Sequence, residues 1–275
     1  MKTIQSYLAS VALATLVLLN FACSDDPNPI AGEPDLSLVE DEFVINSSFE
    51  DLDFLLLDVI QTSGLGLRTT QTTELCEGSS IDHDTATKTI IVDFGAGCTS
   101  SNGVTRKGKI ILNYTGTNFL FPGASVTTTF QGYEVNGIKI EGTRSLTNAG
   151  IDLINSKVSL KVKITDGKIT WPDNTFVTYT TDQTRLVSLA SSGYEASVTG
   201  TASGTSRDNK SYTATIIDAL IVKEDCVNTG VYVPSSGTMT YSYGTTTVGV
   251  DYGGGTCDKV IKITYPGGSK EITLD

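Results

Sequence analysis

The sequence predicts an all-β protein: a curled antiparallel meander sheet, or a two-layer sandwich or half-barrel, of about eleven to thirteen strands with one N-terminal helix. Three observations carry that expectation. The first is composition, since 40 threonines, 27 glycines and 11 tyrosines in 275 residues make a strand-and-turn vocabulary. The second is period-two patterning. It is clearest from Lys157 to Ile164, where Val158, Leu160, Val162 and Ile164 share one face and Ser159, Lys161 and Lys163 take the other. The third is turn chemistry: Asn136-Gly137 and Asp166-Gly167 read as tight hairpin turns. Pro172-Asp173-Asn174, Arg207-Asp208-Asn209-Lys210 and Pro266-Gly267-Gly268 read as further turns. One-sided strands joined by short turns belong to antiparallel sheets.

In chain order, Lys2 leads into an apolar run from Tyr7 to Leu19, closed by the small residue Ala22 before Cys23. That is the plan of a signal peptide over residues 1–22, and the run is shorter than the roughly 20 apolar residues that span a bilayer as a helix. The box Leu19-Asn20-Phe21-Ala22-Cys23 resembles that of bacterial lipoprotein precursors, with Asn20 where such boxes usually carry an apolar residue. The resemblance implies that Cys23 is diacylated on sulfur and becomes the mature N-terminus, so that its lipid holds the chain to a membrane. Ser24, Asp25 and Asp26 resemble the acidic export signal of Bacteroidota surface lipoproteins, which implies an outer-membrane location facing the exterior.

Residues 23–46 are acidic and proline-rich through Asp25, Asp26, Pro27, Pro29, Glu33 and Pro34, and predict a flexible tether. A β domain is expected over 47–275. Ser47 and Ser48, followed by Glu50 and Asp51, form a capping-box signature, and Phe49, Leu52, Leu56, Val59 and Ile60 recur at helical spacing before Gly64. A helix over about 48–62 follows, its apolar face plugging the core.

With Cys23 set aside, Cys76, Cys98, Cys226 and Cys257 remain, an even number suited to an oxidising compartment. Of three possible connectivities, Cys76–Cys98 with Cys226–Cys257 is expected, because each pair brackets one strand hairpin. Zinc is a poorer reading: no two of these cysteines share a Cys-x-x-Cys step, and His83 is the single histidine. No metal and no cofactor are predicted. A net charge of −12, from 31 acidic and 19 basic residues, argues against nucleic acid as a partner.

An internal echo joins the two ends, with Val92-Asp93-Phe94-Gly95-Ala96-Gly97-Cys98 matched by Val250-Asp251-Tyr252-Gly253-Gly254-Gly255-Thr256-Cys257. An alternating strand follows each. Together with Thr105 to Ile110, Val135 to Arg144, Val198 to Gly204 and Tyr212 to Ile216, the closing motif resembles an uncharacterised family of β-rich Bacteroidota lipoproteins over roughly Leu75 to Ile263. That resemblance implies fold and location and brings no catalytic residue.

Asp93 and Asp251 are the candidate ligand or cation contacts, or a glycosidase-like carboxylate pair; their plainer role is to accept backbone hydrogen bonds in the glycine turns. Gly95, Gly97 and Gly253 to Gly255 open no helix and carry no Lys-Ser/Thr pair, so they are turn glycines rather than a phosphate cradle. His83, between Asp82 and Asp84, reads as a loop histidine. Trp171, with Tyr133, Tyr179, Tyr194, Tyr241 and Tyr243, could form a sugar-stacking platform or simply fill strands. Asp84-Thr85-Ala86 resembles the short O-glycosylation motif of Bacteroidota. The expected function is that of a surface lipoprotein with a non-catalytic binding or structural role, its partner a glycan or an envelope protein. The alternatives are a glycan-binding component of a polysaccharide uptake system, a carboxylate-dependent hydrolase, and a lipid carrier whose sheet holds an acyl chain under the helix.

Overall fold

The computed structural model describes residues 36–65, 75–101, 103–190 and 193–274. The expected leader, Cys23 and Ser24, Asp25 and Asp26 lie outside the described residues. Helix α1 spans Ser37–Thr62. The strands that follow are β1 Ser80–Asp84, β2 Thr89–Asp93, β3 Cys98–Thr99, β4 Thr105–Tyr114, β5 Ser125–Val135, β6 Ile138–Asp152 and β7 Lys157–Thr170. After them come β8 Phe176–Ala190, β9 Gly193–Thr205, β10 Ser211–Lys223, β11 Ser236–Tyr243, β12 Thr246–Gly254, β13 Val260–Tyr265 and β14 Gly268–Thr273. A single helical turn, α2 (Glu224–Asn228), sits between β10 and β11.

All strands belong to one sheet in sequence order, with the stub β3 pairing only β4. Every pair is antiparallel, so the expected meander is what forms, as one curled sheet of 14 strands that does not close. The turns at Asn136-Gly137, Pro172 to Asn174, Arg207 to Lys210 and Pro266-Gly267 fall between strands as expected. Asp166-Gly167 does not. β7 runs straight through it, and the register instead slips between Ile164 and Gly167 against β8, and between Thr143 and Glu141 against β6. Asp166 takes the left-handed backbone that a tight turn would need, at φ 51°. With long partners continuing the ladder on both sides, that conformation yields a β-bulge.

Bulges of this kind bend the sheet into its curl. At β6 the backbone opposite comes so close that only glycine fits: a Cβ at Gly142 (φ +112°) would lie 2.7 Å from Asp166 O and 2.7 Å from Gly167 Cα.

The concave face wraps α1. Among the described helix residues only Ser37, Glu40 and Thr62 are exposed, so the helix is buried on nearly all sides rather than along one stripe. Leu38, Ile45, Phe49, Leu52, Leu56 and Val59 share one core with Ile110, Leu112, Val162, Ile164, Tyr179, Val248 and Ile263 from across the sheet. Two expectations are corrected. The helix begins at Ser37, not near Ser48, and so residues 37–46 are no part of a tether. Ser47 and Ser48 do not cap it; their hydroxyls donate to the Val44 carbonyl within the helix, at 3.1 and 2.8 Å. Acidic residues made this stretch look solvated, yet Asp41 meets Arg207 of the β9–β10 turn and Glu42 meets Tyr212 of β10.

Both expected disulfides are present, Cys76–Cys98 around the β1–β2 hairpin and Cys226–Cys257 around β11–β12, with Cα atoms 5.8 and 5.0 Å apart. Loops of those lengths predict about 3 to 4 kcal/mol each in the chain-entropy account.

Gly142→Ala forces either the Asp166 bulge or the β6 backbone to move, and is expected to lower unfolding free energy by about 2 to 4 kcal/mol. Gly150→Ala in the same strand, where an added Cβ meets nothing within 4 Å, is expected to be near neutral. Urea unfolding of the two variants checks this; equal effects would show that the bulge does not set the curl.

Candidate functional site

Neighbouring strands alternate in direction, so the β4–β5 loop, the β6–β7 turn and the β8–β9 connection lie at one end of the sheet. The β5–β6, β7–β8 and β9–β10 turns lie at the other. α1 enters at the second end, where Arg207 of the β9–β10 turn reaches Asp41. It finishes at the first, where the Phe119 amide donates to Leu65 O at 2.8 Å.

At that first end the concave face is not filled. A cavity of about 240 Å³ is lined by Leu146 of β6, Val158 and Leu160 of β7, Val187 of β8, Ala196 and Val198 of β9, Val222 of β10, and Phe119 and Leu120 of the β4–β5 loop. Asp53, Arg185, Asn148 and Tyr194 complete it. The stripe Val158, Leu160, Val162, Ile164 accordingly divides: Val162 and Ile164 are sealed in the core, while Val158 and Leu160 stay half-buried. Half-buried aliphatic side chains facing a void are what an apolar ligand covers.

One wall is ionic. Asp53 pairs with Arg144 of β6 and with Arg185 of β8, the latter at 2.8 Å, so one helical carboxylate spans β7. Arg185 stands directly opposite Leu160 in the ladder. Its guanidinium also donates to Gln183 Oε1 at 3.4 Å. One step towards the helix N-terminus, Asp51 pairs with the fully buried Arg106 of β4 at 2.5 Å.

A smaller, mostly apolar annex of about 50 Å³ adjoins this cavity, sharing Arg185, Val198 and Val222 with it. Glu42 and Asn46 face the annex from α1. Tyr212 donates to Glu42 Oε2 at 3.1 Å. Burial pushes the Glu42 carboxyl up to about 7, against the lowering pull of Tyr212, Tyr179 and Asn46. Burial likewise pushes the Tyr212 and Tyr179 hydroxyls well up, with the Glu42 charge adding to the rise.

Of the residues singled out from sequence, Tyr194 lines the cavity, while Asp93, Asp251, Trp171 and His83 lie elsewhere. Asp93 and Asp251 each close a local turn, accepting the Gly95 amide at 2.8 Å and the Gly253 amide at 2.9 Å. Asp93 also pairs with Lys109 at 2.8 Å; the Lys109 and Gly95 hydrogen bonds hold its carboxyl below the usual range. The echo is therefore a repeated turn. Trp171 carries the Arg207 guanidinium 4.8 Å over its ring, and Tyr133, Tyr179 and Tyr241 are buried in the core, so these aromatics form no open sugar platform. His83 Nε2 and the Tyr114 hydroxyl share a hydrogen bond of 2.9 Å. Among the described residues no three His, Cys, Asp or Glu side chains gather to hold a metal, and no helix is long and apolar enough to cross a membrane.

Sequence reasoning missed Asp53, Arg144, Arg185 and Glu42. A signal was present: Arg144 shares its strand face with Leu146, and Arg185 with Val187, so each arginine points where only an internal partner can satisfy it. Comparison of the chain with protein-family models, with curated proteins and with solved structures finds no match.

Because its folded carboxyl titrates near 7 rather than at the ordinary 4.5, Glu42 binds its proton more readily in the folded chain than in the unfolded one. Stability is therefore lost as pH rises from about 4.5 to about 7. Glu42→Gln is expected to raise stability by roughly 1 to 3 kcal/mol at pH 8, with little gain left at pH 5. Thermal melts of both proteins at the two pH values measure it, and a gain independent of pH would contradict a charged, strained Glu42.

Proposed function

We propose that this chain is a lipid-anchored outer-membrane protein, facing the exterior, whose curled sheet binds an amphiphile with an aliphatic tail beneath α1. The single observation that carries the binding reading is the unfilled aliphatic cavity bordered by Asp53 and Arg185. At about 240 Å³ it is larger than the apolar cavities of about 150 Å³ that take up benzene. The aliphatic lining suits a tail, and the Asp53 and Arg185 wall suits a polar head. The same features argue against a glycan, which calls for exposed flat aromatics and polar partners.

The address rests on the sequence: the apolar run to Leu19, the box ending in Cys23, and the acidic Ser24-Asp25-Asp26. Two disulfides fit an oxidising compartment. Acyl chains on Cys23 would leave the folded domain free to bind on its own account.

Palmitate is expected to compete, saturably, with a fluorescent fatty acid for the purified protein. Leu160→Trp, which fills the cavity from its half-buried floor, is expected to weaken that binding about tenfold or more, with the melting temperature little changed. Absence of saturable binding, or equal binding by Leu160→Trp, would contradict the proposal.

A further inference from the structure

We propose that the loop tips bearing Phe121, Leu153 and Ile154 insert into the surface of a lipid bilayer and set the cavity mouth against it. This rests on the amphiphile reading above and names where the amphiphile would enter and leave.

Phe121 is 64% exposed, Leu153 85% and Ile154 94%, the three most exposed large apolar side chains among the described residues. They are not scattered. Phe121 lies in the β4–β5 loop and Leu153 and Ile154 in the β6–β7 turn, both at the cavity end of the sheet. Phe119 and Leu120 of the first loop line the cavity, and so do Val158 and Leu160 just after the second turn. The apolar surface thus runs from the tips into the interior.

Hydrogen bonds hold these side chains in their exposed positions. Asn148 Nδ2 donates to both Phe119 O and Leu120 O at 3.0 Å, and the Ala124 amide donates to Phe121 O at 3.0 Å. Asp152 accepts the Ile154 and Asn155 amides and the Asn155 side chain. A turn so fully bonded gives its two apolar side chains no route inward. Lys157 stands beside the turn, paired in the ladder with Asp152, and Lys161 follows on the outer face of β7. Apolar tips backed by lysine suit a membrane surface with anionic headgroups.

The anchor permits the contact. α1, at 26 residues, is about 39 Å long and carries the chain from the opposite end of the sheet. The 14 residue steps from Cys23 to Ser37 span at most about 45 to 50 Å when extended. A chain anchored at Cys23 therefore has enough length to lay either end of the sheet on the membrane that holds it.

The test uses the chain purified from its own envelope and placed in vesicles of phosphatidylcholine and phosphatidylglycerol with brominated acyl chains. Leu153→Trp, in a Trp171→Phe background, puts the only tryptophan at the tip. Phe176→Trp in the same background puts it at the opposite end of the sheet, nearer the helix entry. Several-fold stronger quenching and a blue-shifted emission at position 153 are expected. Equal quenching, or stronger quenching at position 176, would overturn the insertion of the tips. Quenching at 153 in a protein that binds no palmitate would uphold the membrane contact and count against the cavity reading alone; palmitate binding without quenching at 153 would do the reverse.

Discussion

The structure depends on a helix held inside a sheet by buried charge. Asp51 to Arg106, and Asp53 to Arg144 and Arg185, tie α1 to β4, β6 and β8 across the concave face. Such pairs add little net stability, because desolvating the partners offsets most of their attraction. Removing one partner, however, strands the other and costs about 3 to 5 kcal/mol. Their main consequence here is position. An apolar helix packed on an apolar face could slide or rotate, whereas carboxylates two residues apart, on opposite sides of one helical turn, that must meet arginines on named strands admit one register.

That register leaves the cavity. Arginine side chains are long, and a helix held to the sheet through them stands off from it where they bridge. Towards the helix N-terminus Phe49 stacks on Tyr179 with centroids 5.9 Å apart. Past Asp53, where Arg185 lies opposite Leu160, Val158 and Leu160 line the void. Curl, ion pairs and void follow from one another: bulges such as that at Asp166 bend the sheet round the helix, the arginines set its distance, and the strand ends beyond them stay open.

Much of the fold was legible because its signals are local. Period-two stripes, turn dipeptides and cysteines bracketing hairpins each act within a few tens of residues, and the meander joins neighbours in sequence. The Asp166-Gly167 bulge was not legible, since the same dipeptide makes a turn or a bulge according to whether the strands on either side continue. The start of α1 was hidden for a different reason. Asp41 and Glu42 look solvated beside Pro34, and what buries them, Arg207 and Tyr212, lies more than a hundred residues away. The cavity's charged wall is non-local in the same sense, although the inward strand positions of Arg144 and Arg185 marked them as residues requiring an internal partner.

In the proposed role, the space beneath α1 holds one lipid while a second, covalent at Cys23, holds the protein. Mass spectrometry of the protein drawn from its own envelope tests both at once, under native and then denaturing conditions. The expected result is a mature chain beginning at Cys23 with added acyl mass that survives denaturation, together with a further lipid-sized mass that leaves on unfolding. A chain that carries the covalent mass alone, and acquires no second mass on incubation with palmitate or phospholipid, would contradict the binding role drawn from the cavity.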